Sequence, residues 1–437
     1  MAGGGDQESP LLQVLDCSSD SGIKIRTGPL AILFFASITL LSSFLLCNCY
    51  LTPDPEHGPT RNRSYVEAVR TSLGSKNAWV CGFLVQVSLY GIGVAYTITS
   101  AISISSIQKS YCDHKQGQEP ADVHGDIFYM LSFGALQVIL SQIPDLHNMQ
   151  WLSVVAAVMS FTYSFIGFAL GFAQVMANGY VKGSIAGVTA TSTVDKVWSI
   201  SQALGDIAFG YPYSAILIEI QDTLQSPPPQ NQSMKKASTI AVSITTFFYL
   251  LCGGFGYAAF GEDTPGNILT RFEVCKLYWL LHIANACIVL HLAGSYQVVS
   301  QPVFASIERW IAEKYPRSRL VNSSFTLKLP LMRAFELNIL RLFFRTIYVL
   351  TTTAIAMIFP YFNQVLGVLG GLNFWPLTIY FPVEMYFKQR KIEAWTIKWI
   401  LLRAFSIICF FATVFTLLGS VEGLISAKLS QATASLP

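Results

Sequence analysis

Charge is scarce in this chain. Only 12% of its 437 residues are Asp, Glu, Lys or Arg, about half the share of an ordinary soluble protein, while 52% are hydrophobic. A soluble chain of this length needs far more charge to stay in solution. Catalytic signatures are missing too. There is no HExxH, no GxSxG, no Walker phosphate loop, no CxxC and no cluster of His, Cys or Asp with metal-ligand spacing. No polar stretch is long enough to form a catalytic domain. These absences argue against an enzyme, a resident metal and a bound cofactor. A net charge of +3 gives no basis for nucleic acid as a partner. No secretory leader is expected either, because Met1–Gly28 lacks a basic start, an apolar middle and a small-residue cleavage site.

What the chain has is long apolar runs. A helix crossing the hydrocarbon core needs about 20 mostly apolar residues. On that criterion about ten spans are predicted: Pro29–Tyr50, Trp79–Ile107, Phe128–Ile143, Trp151–Ala177, Val197–Ile220, Ala237–Phe260, Tyr278–Phe304, Ile339–Pro360, Val365–Phe387 and Ile397–Leu424. The expected class is an all-α polytopic membrane protein whose first partner is the lipid bilayer. The organisation is a polar tail over 1–28, one transmembrane domain over 29–424, and a short tail over 425–437.

Lys and Arg in the loops set the orientation. One set of alternate loops carries Arg61, Arg63, Arg70, Lys76, Lys235, Lys236, the basic residues from Arg309 to Arg333, and Lys388 to Lys398; the other carries roughly half as many. The richer side is assigned to the cytoplasm. That places the N-terminal tail outside, although it has basic residues beside the first span and no export signal. One further helix before Pro29 would remove the conflict. The Asn-x-Ser sequons at Asn62, Asn231 and Asn322 then fall inside and read as chance matches. Cys47, Cys49, Cys81, Cys252, Cys287 and Cys409 lie in or beside spans and read as apolar packing residues. Cys112 and Cys275 share a predicted outer face, where a disulfide between them is one option.

Polar groups inside spans are costly and mark sites by default. Val197–Ile220 holds Asp206, Gly210, Pro212, Ser214 and Glu219. Gly210 and Pro212 should break the helix, since proline has no amide to donate. Transporters use such breaks to aim half-helix ends at ions and substrates; a plain proline kink is the alternative. On Trp79–Ile107, the residues Gly82, Gln86, Gly93, Tyr96, Ser100 and Ser103 fall within a sector of about 100° on a helical wheel. That face suits a polar cavity or close helix packing equally. Tyr278–Phe304 carries His282, Asn285 and His291. His282 and Asn285 lie one turn apart and can pair, whereas His282 and His291 face opposite ways. Histidine titrates near neutral pH, which suits proton coupling, yet each alone reads more simply as a hydrogen-bonded structural residue. Thr351–Thr353 is a weak signal.

Several stretches together resemble the plant amino acid permeases of the amino acid/auxin permease family. They are LSVVAAVMSFTYS at Leu152–Ser164, QALGDIAF at Gln202–Phe209, IEIQDTLQSP at Ile218–Pro227, MKKAS at Met234–Ser238, GYAAFGEDTPG at Gly256–Gly266, ANACIVLHLAGSYQV at Ala284–Val298 and FWPLTIYFPVEMY at Phe374–Tyr386. The resemblance implies a leucine-transporter-like inverted-repeat fold, with the site beside a broken sixth helix matched here by Val197–Ile220. It implies a multi-pass proton symporter of amino acids at the plasma membrane, with the proton as coupling ion and no cofactor. The matching substrate residues are Tyr96, Ser100, Gly205, Asp206, Phe209, Ser214 and Asn285, and the proton-coupling ones are Asp206 and His291. Oligomers with itself or with other permeases are among the partners. The chain departs from the family pattern in one large respect. Relatives carry a first helix, with a Gly-Ser-Gly-like break, after their Arg-Thr-Gly, whereas here Arg26-Thr27-Gly28 runs straight into Pro29. A non-transporting truncated or regulatory form is therefore the alternative reading. His282 also stands where relatives usually have Asp, and the loop after Cys112 lacks their second cysteine.

Overall fold

The computed structural model describes residues 24–52, 60–116, 125–143, 150–183, 193–261, 264, 269, 278–318, 324–327, 335–359 and 362–434. The chain before Lys24, the Asn322 sequon and Cys275 lie outside these residues, and with Cys275 the Cys112–Cys275 pairing. Helices dominate: α1 (Lys24–Cys49), α2 (Tyr65–Leu73), α3 (Ser75–Gln116), α4 (Asp126–Leu140), α5 (Gln150–Asn178), α6 (Thr193–Phe209), α7 (Leu217–Asp222), α8 (Gln230–Phe260), α9 (Tyr278–Lys314), α10 (Ile339–Ile358), α11 (Phe362–Asn373), α12 (Phe381–Gln389) and α13 (Ile397–Ala434). Two short antiparallel hairpins, β1 (Leu51–Thr52) with β2 (Thr60–Arg61) and β3 (Ser324–Leu327) with β4 (Phe335–Asn338), join helices.

Among the described residues, eight helices are long and apolar enough to cross a membrane. The other two predicted spans take different forms. The one at Phe128–Ile143 is α4, whose 15 residues reach about 23 Å, short of the hydrocarbon core. The one at Val197–Ile220 is broken. Large apolar side chains such as Trp151, Phe161, Ile240, Phe247, Leu401 and Phe411 stand exposed on α5, α8 and α13. Lipid tails, not water, suit such a surface.

The chain forms two compact units, divided within α3 after Ser88, within α5 after Tyr163, at the start of α9, and between α10 and α11. In the first unit α1 lies along α8, and α6, α11 and α13 pack mutually. Its apolar core joins Ile32, Phe35 and Leu45 of α1 to Ile207 of α6, Val242 of α8 and Phe374. In the second unit α4 packs on α10, so closely that a side chain at Gly134 would meet Thr353.

The helix α2 is placed by local chemistry. Ser64 accepts from the Glu67 amide at 3.2 Å, while the Glu67 carboxylate accepts from the Arg63 amide at 2.7 Å. The S-x-x-E spacing of a capping box thus starts the helix. Asn62 is buried, its amide nitrogen donating to the Cys49 carbonyl and to Thr52 Oγ1, both at 2.8 Å. A side chain so engaged is a turn brace, in keeping with the chance-match reading of its sequon. The six cysteines read as packing residues are buried free thiols.

Candidate functional site

The helix containing Asp206 breaks where glycine and proline occur. Helix α6 stops at Phe209, Tyr211 leaves helical geometry with φ −128° and ψ 42°, a 3-10 turn covers Pro212–Ile216, and α7 begins at Leu217. The break is braced by hydroxyls. Tyr249 donates to the Gly210 carbonyl at 3.2 Å, and the Tyr211 and Thr246 hydroxyls pair at 3.0 Å. Tyr213 and Ser43 also pair through their hydroxyls. The two-hydroxyl bracing shows a supported break, which irregular backbone at membrane depth requires. Ser214 sits inside it, 1% exposed, and its Oγ has no hydrogen-bond partner.

Small residues bring α6, α11 and α13 together. A Cβ built on Gly205 would lie 3.0 Å from the Gly367 carbonyl, and one on Gly367 would lie 3.2 Å from Asp206 Oδ1. Ser201 donates to the Phe415 carbonyl, which ties α6 to α13. Where α6 ends, a narrow cavity of about 20 Å³ opens, lined by Ser88, Ala208, Phe209, Ala215, Leu369, Gly370, Asn373, Phe374, Leu377 and Thr378. Its mostly apolar wall with a few polar groups has the composition usual for ligand sites.

The far wall of the cavity belongs to a second irregular segment. Beyond α11, Phe374–Tyr380 is wound as a π-helix before α12 resumes. Pro376 lacks an amide and crowds the preceding turn, which favours the wider winding. Its carbonyl accepts from the Phe381 amide five residues on. Tyr65, at the start of α2, spans both breaks: its hydroxyl donates to the Leu377 carbonyl at 2.6 Å, and its amide donates to Glu219 of α7 at 3.1 Å. Burial pushes the Tyr65 phenol well above its usual range, so it remains a donor. Tyr65→Phe leaves the Leu377 carbonyl unpaired and is expected to cost about 1–2 kcal/mol. Thermal unfolding in detergent checks this; an unchanged midpoint would refute the brace.

The remaining predicted residues lie in the second unit. On α3, Gly93 faces the ring of Tyr296, the Tyr348 hydroxyl and Thr352, so that position of the striped face serves packing. Tyr96 is partly buried, and Ser100 is buried with an unpartnered Oγ. Asn285 donates to its own helix at the Leu281 carbonyl, 3.1 Å away, and its Oδ1 has no partner, so the pairing with His282 does not form. His291 lies against α5: Nδ1 is 2.8 Å from the Ala156 carbonyl and Nε2 is 3.3 Å from Ser295 Oγ. A carbonyl only accepts and the serine can donate, so this arrangement suits the neutral ring. Tyr163 stacks edge-on to it at 5.6 Å. Thr352 pairs with Tyr296 at 2.8 Å, while Thr351 and Thr352 also bond back to their own helix.

One residue with a large role was not singled out in the sequence. Arg345 of α10 is 1% exposed. Its Nη1 donates to the Ser141 and Ile143 carbonyls beyond the end of α4, both at 2.8 Å, and its Nε donates to Glu308 of α9 at 2.8 Å. Its guanidinium lies over the Phe304 ring at 4.8 Å. The only sequence signal is an arginine two turns inside a predicted span. Among the described residues no group of three His, Cys, Asp or Glu side chains is placed to hold a metal.

Comparison with known proteins settles the family. The profile described as transmembrane amino acid transporter protein matches residues 25–426. The chain belongs to that family. It is 53% identical to probable amino acid permease 7 of Arabidopsis thaliana over 405 residues, 92% of this chain and 87% of that protein. It is 49% identical to amino acid permease 2 of the same plant, across 91% of this chain and 81% of that protein. Among solved structures it is similar to Mhp1, described as a nucleobase-cation-symport-1 family transporter, at a TM-score of 0.51 and 12% identity over 98% of this chain and 90% of the other. The fold is thus that of a polytopic helical transporter, and membership of a transporter family, not an enzyme family, bears out the reading made from missing catalytic motifs.

Proposed function

We propose that this family member carries amino acids across the plasma membrane in symport with protons. The observation that carries the reading is the supported break between α6 and α7, with a narrow cavity at the end of α6. A broken helix offers half-helix ends and free carbonyls to an amino acid's opposite charges. The names of the permease relatives supply the substrate class. The proposed substrate residues are Gly205, Asp206, Phe209 and Ser214 in the first unit and, separately, Tyr96, Ser100 and Asn285 in the second. Asp206 and His291 are each proposed as proton-coupling residues: adding a proton to His291 Nε2 requires the Ser295 hydroxyl to turn from donor to acceptor. No cofactor is needed, since the proton gradient drives the step. Self-association or association with other permeases belongs to the same proposal.

A second reading has an observation of its own. Helix α1 runs from Lys24 through Pro29 to Cys49, and the family resemblance, which matches Gly28–Tyr50 to the segment after the family's first helix, supports the reading that this first helix is missing. A half-site of this kind suits a non-transporting or regulatory form. Uptake of radiolabelled amino acids into transport-deficient cells separates the two, comparing this chain with a version carrying a restored first helix at acidic and neutral external pH. Symport predicts uptake by the chain itself, faster at acidic pH, reduced about tenfold or more by Asp206→Asn and by His291→Ala, a loss of the size expected for a proton carrier. Uptake only by the restored version establishes the regulatory reading. Uptake indifferent to pH and to both substitutions sinks the coupling assignment.

A further inference from the structure

The cavity at the end of α6 has a wall that the substrate set does not use. Asn373 closes α11 and is 7% exposed. Its amide nitrogen donates to the Leu369 carbonyl at 2.9 Å. A carbonyl cannot donate, so this bond fixes which end of the amide is which. The oxygen has no hydrogen-bond partner, although it is buried. An acceptor left unpaired in this way costs stability unless a ligand or water completes it.

The surroundings say what kind of ligand suits it. The lining includes the hydroxyls of Ser88 and Thr378, but no Lys, Arg or His that would take an anion. Ala208 and Phe209 bring in the last turn of α6, whose carbonyl end carries partial negative charge. Phe374, Leu369 and Leu377 supply the apolar part of its wall. An unpaired amide oxygen beside a helix C-terminus is a seat for a primary ammonium.

We propose that Asn373 Oδ1 receives the ammonium group of the amino acid, making the α11 wall a recognition element for the amine. The proposal rests on the amino acid reading given above. It does not require transport: a chain that binds without carrying would show it equally.

The test is binding to the purified full chain in detergent. Labelled amino acids are screened first, and the tightest binder is then compared with its deaminated acid and its decarboxylated amine as competitors. Asn373→Leu is expected to weaken the amino acid and the amine about ten- to a hundred-fold, the range for a hydrogen bond to a charged group, and to leave the deaminated acid unchanged. Asn373→Asp keeps the acceptor, so it retains amine binding and shows that position 373 tolerates substitution. Equal weakening of all three ligands by Asn373→Leu means a wall residue and overturns the proposal. So does unchanged binding of all three, the result if Asn373 only holds a water. If the unsubstituted chain binds no amino acid at all, the functional reading itself fails, and this assignment falls with it.

Discussion

Replacing Arg345 with Met is expected to destabilise the protein by about 1–3 kcal/mol, the cost of leaving a buried acceptor without its donor. Arg345 has partners on two other elements. The Ser141 carbonyl loses its side-chain donor and the Ile143 carbonyl loses one of two, and a buried acceptor without a donor costs about 1–3 kcal/mol. Glu308 keeps Arg341 at 3.1 Å, so its charge is not stranded. The loss should therefore fall chiefly on the Ser141 carbonyl at the end of α4, because Gln301 also donates to the Ile143 carbonyl at 3.1 Å. Arg345→Lys supplies one point charge in place of a planar fork and should recover only part of the loss. Glu308→Gln should be milder than either, because Arg345 retains both carbonyls. Fluorescence-detected size exclusion and thermal unfolding in detergent rank the three variants. A melting midpoint for Arg345→Met equal to that of the parent would mean the network contributes nothing.

Why Arg345 escaped a reading of the sequence is instructive. Its partners stand 37, 202 and 204 residues away. No periodicity or cap rule links them, and two of the three are backbone carbonyls, which carry no residue signature at all. Ionisable residues were weighed in the spans with polar clusters, whereas Arg345 stands among Phe343, Phe344 and Ile347. By contrast, the break between α6 and α7 was legible because its cause is local: Gly210 and Pro212 act within one turn. The helical spans were legible for the same reason. The π-wound segment at Phe374–Tyr380 contains Pro376 and was still expected to be continuous helix, since the π winding also depends on Tyr65 holding the Leu377 carbonyl from another element. Helix α2 was legible in principle: Ser64 and Glu67 have the capping-box spacing in a segment too short to span a membrane. For the candidate site, the residues of the break could be named from sequence, but Ser88, Asn373 and Thr378 could not. They meet the end of α6 only through the packing of helices distant in sequence.

That packing carries the second large effect. Gly370→Ala is expected to destabilise the first unit by about 1–3 kcal/mol, as overpacking does when the obstructing atoms cannot move aside. The added methyl would collide with the Gly205 carbonyl and lie 2.9 Å from the Phe209 amide nitrogen. Both are backbone atoms of the last turns of α6, so relief requires the helices to part. In lipid no hydrophobic force draws them together again, because the tails are as apolar as the helix faces, and close backbone approach is itself the attraction being lost. Gly254 of α8 is the matched control: nothing lies within 4 Å of a Cβ there. Gly254→Ala should be neutral or stabilise by up to about 1 kcal/mol, through the better helix propensity of alanine. The contrast separates a steric effect at one crossing from a general intolerance of glycine replacement. Gly370→Ala should also move a ligand-binding readout, since Gly370 and Phe209 both line the cavity and the helix shift changes its width. A Gly370→Ala protein that melts with the parent and binds with equal affinity would show that α6 and α11 are not held this closely, and the cavity drawn between them would lose its wall.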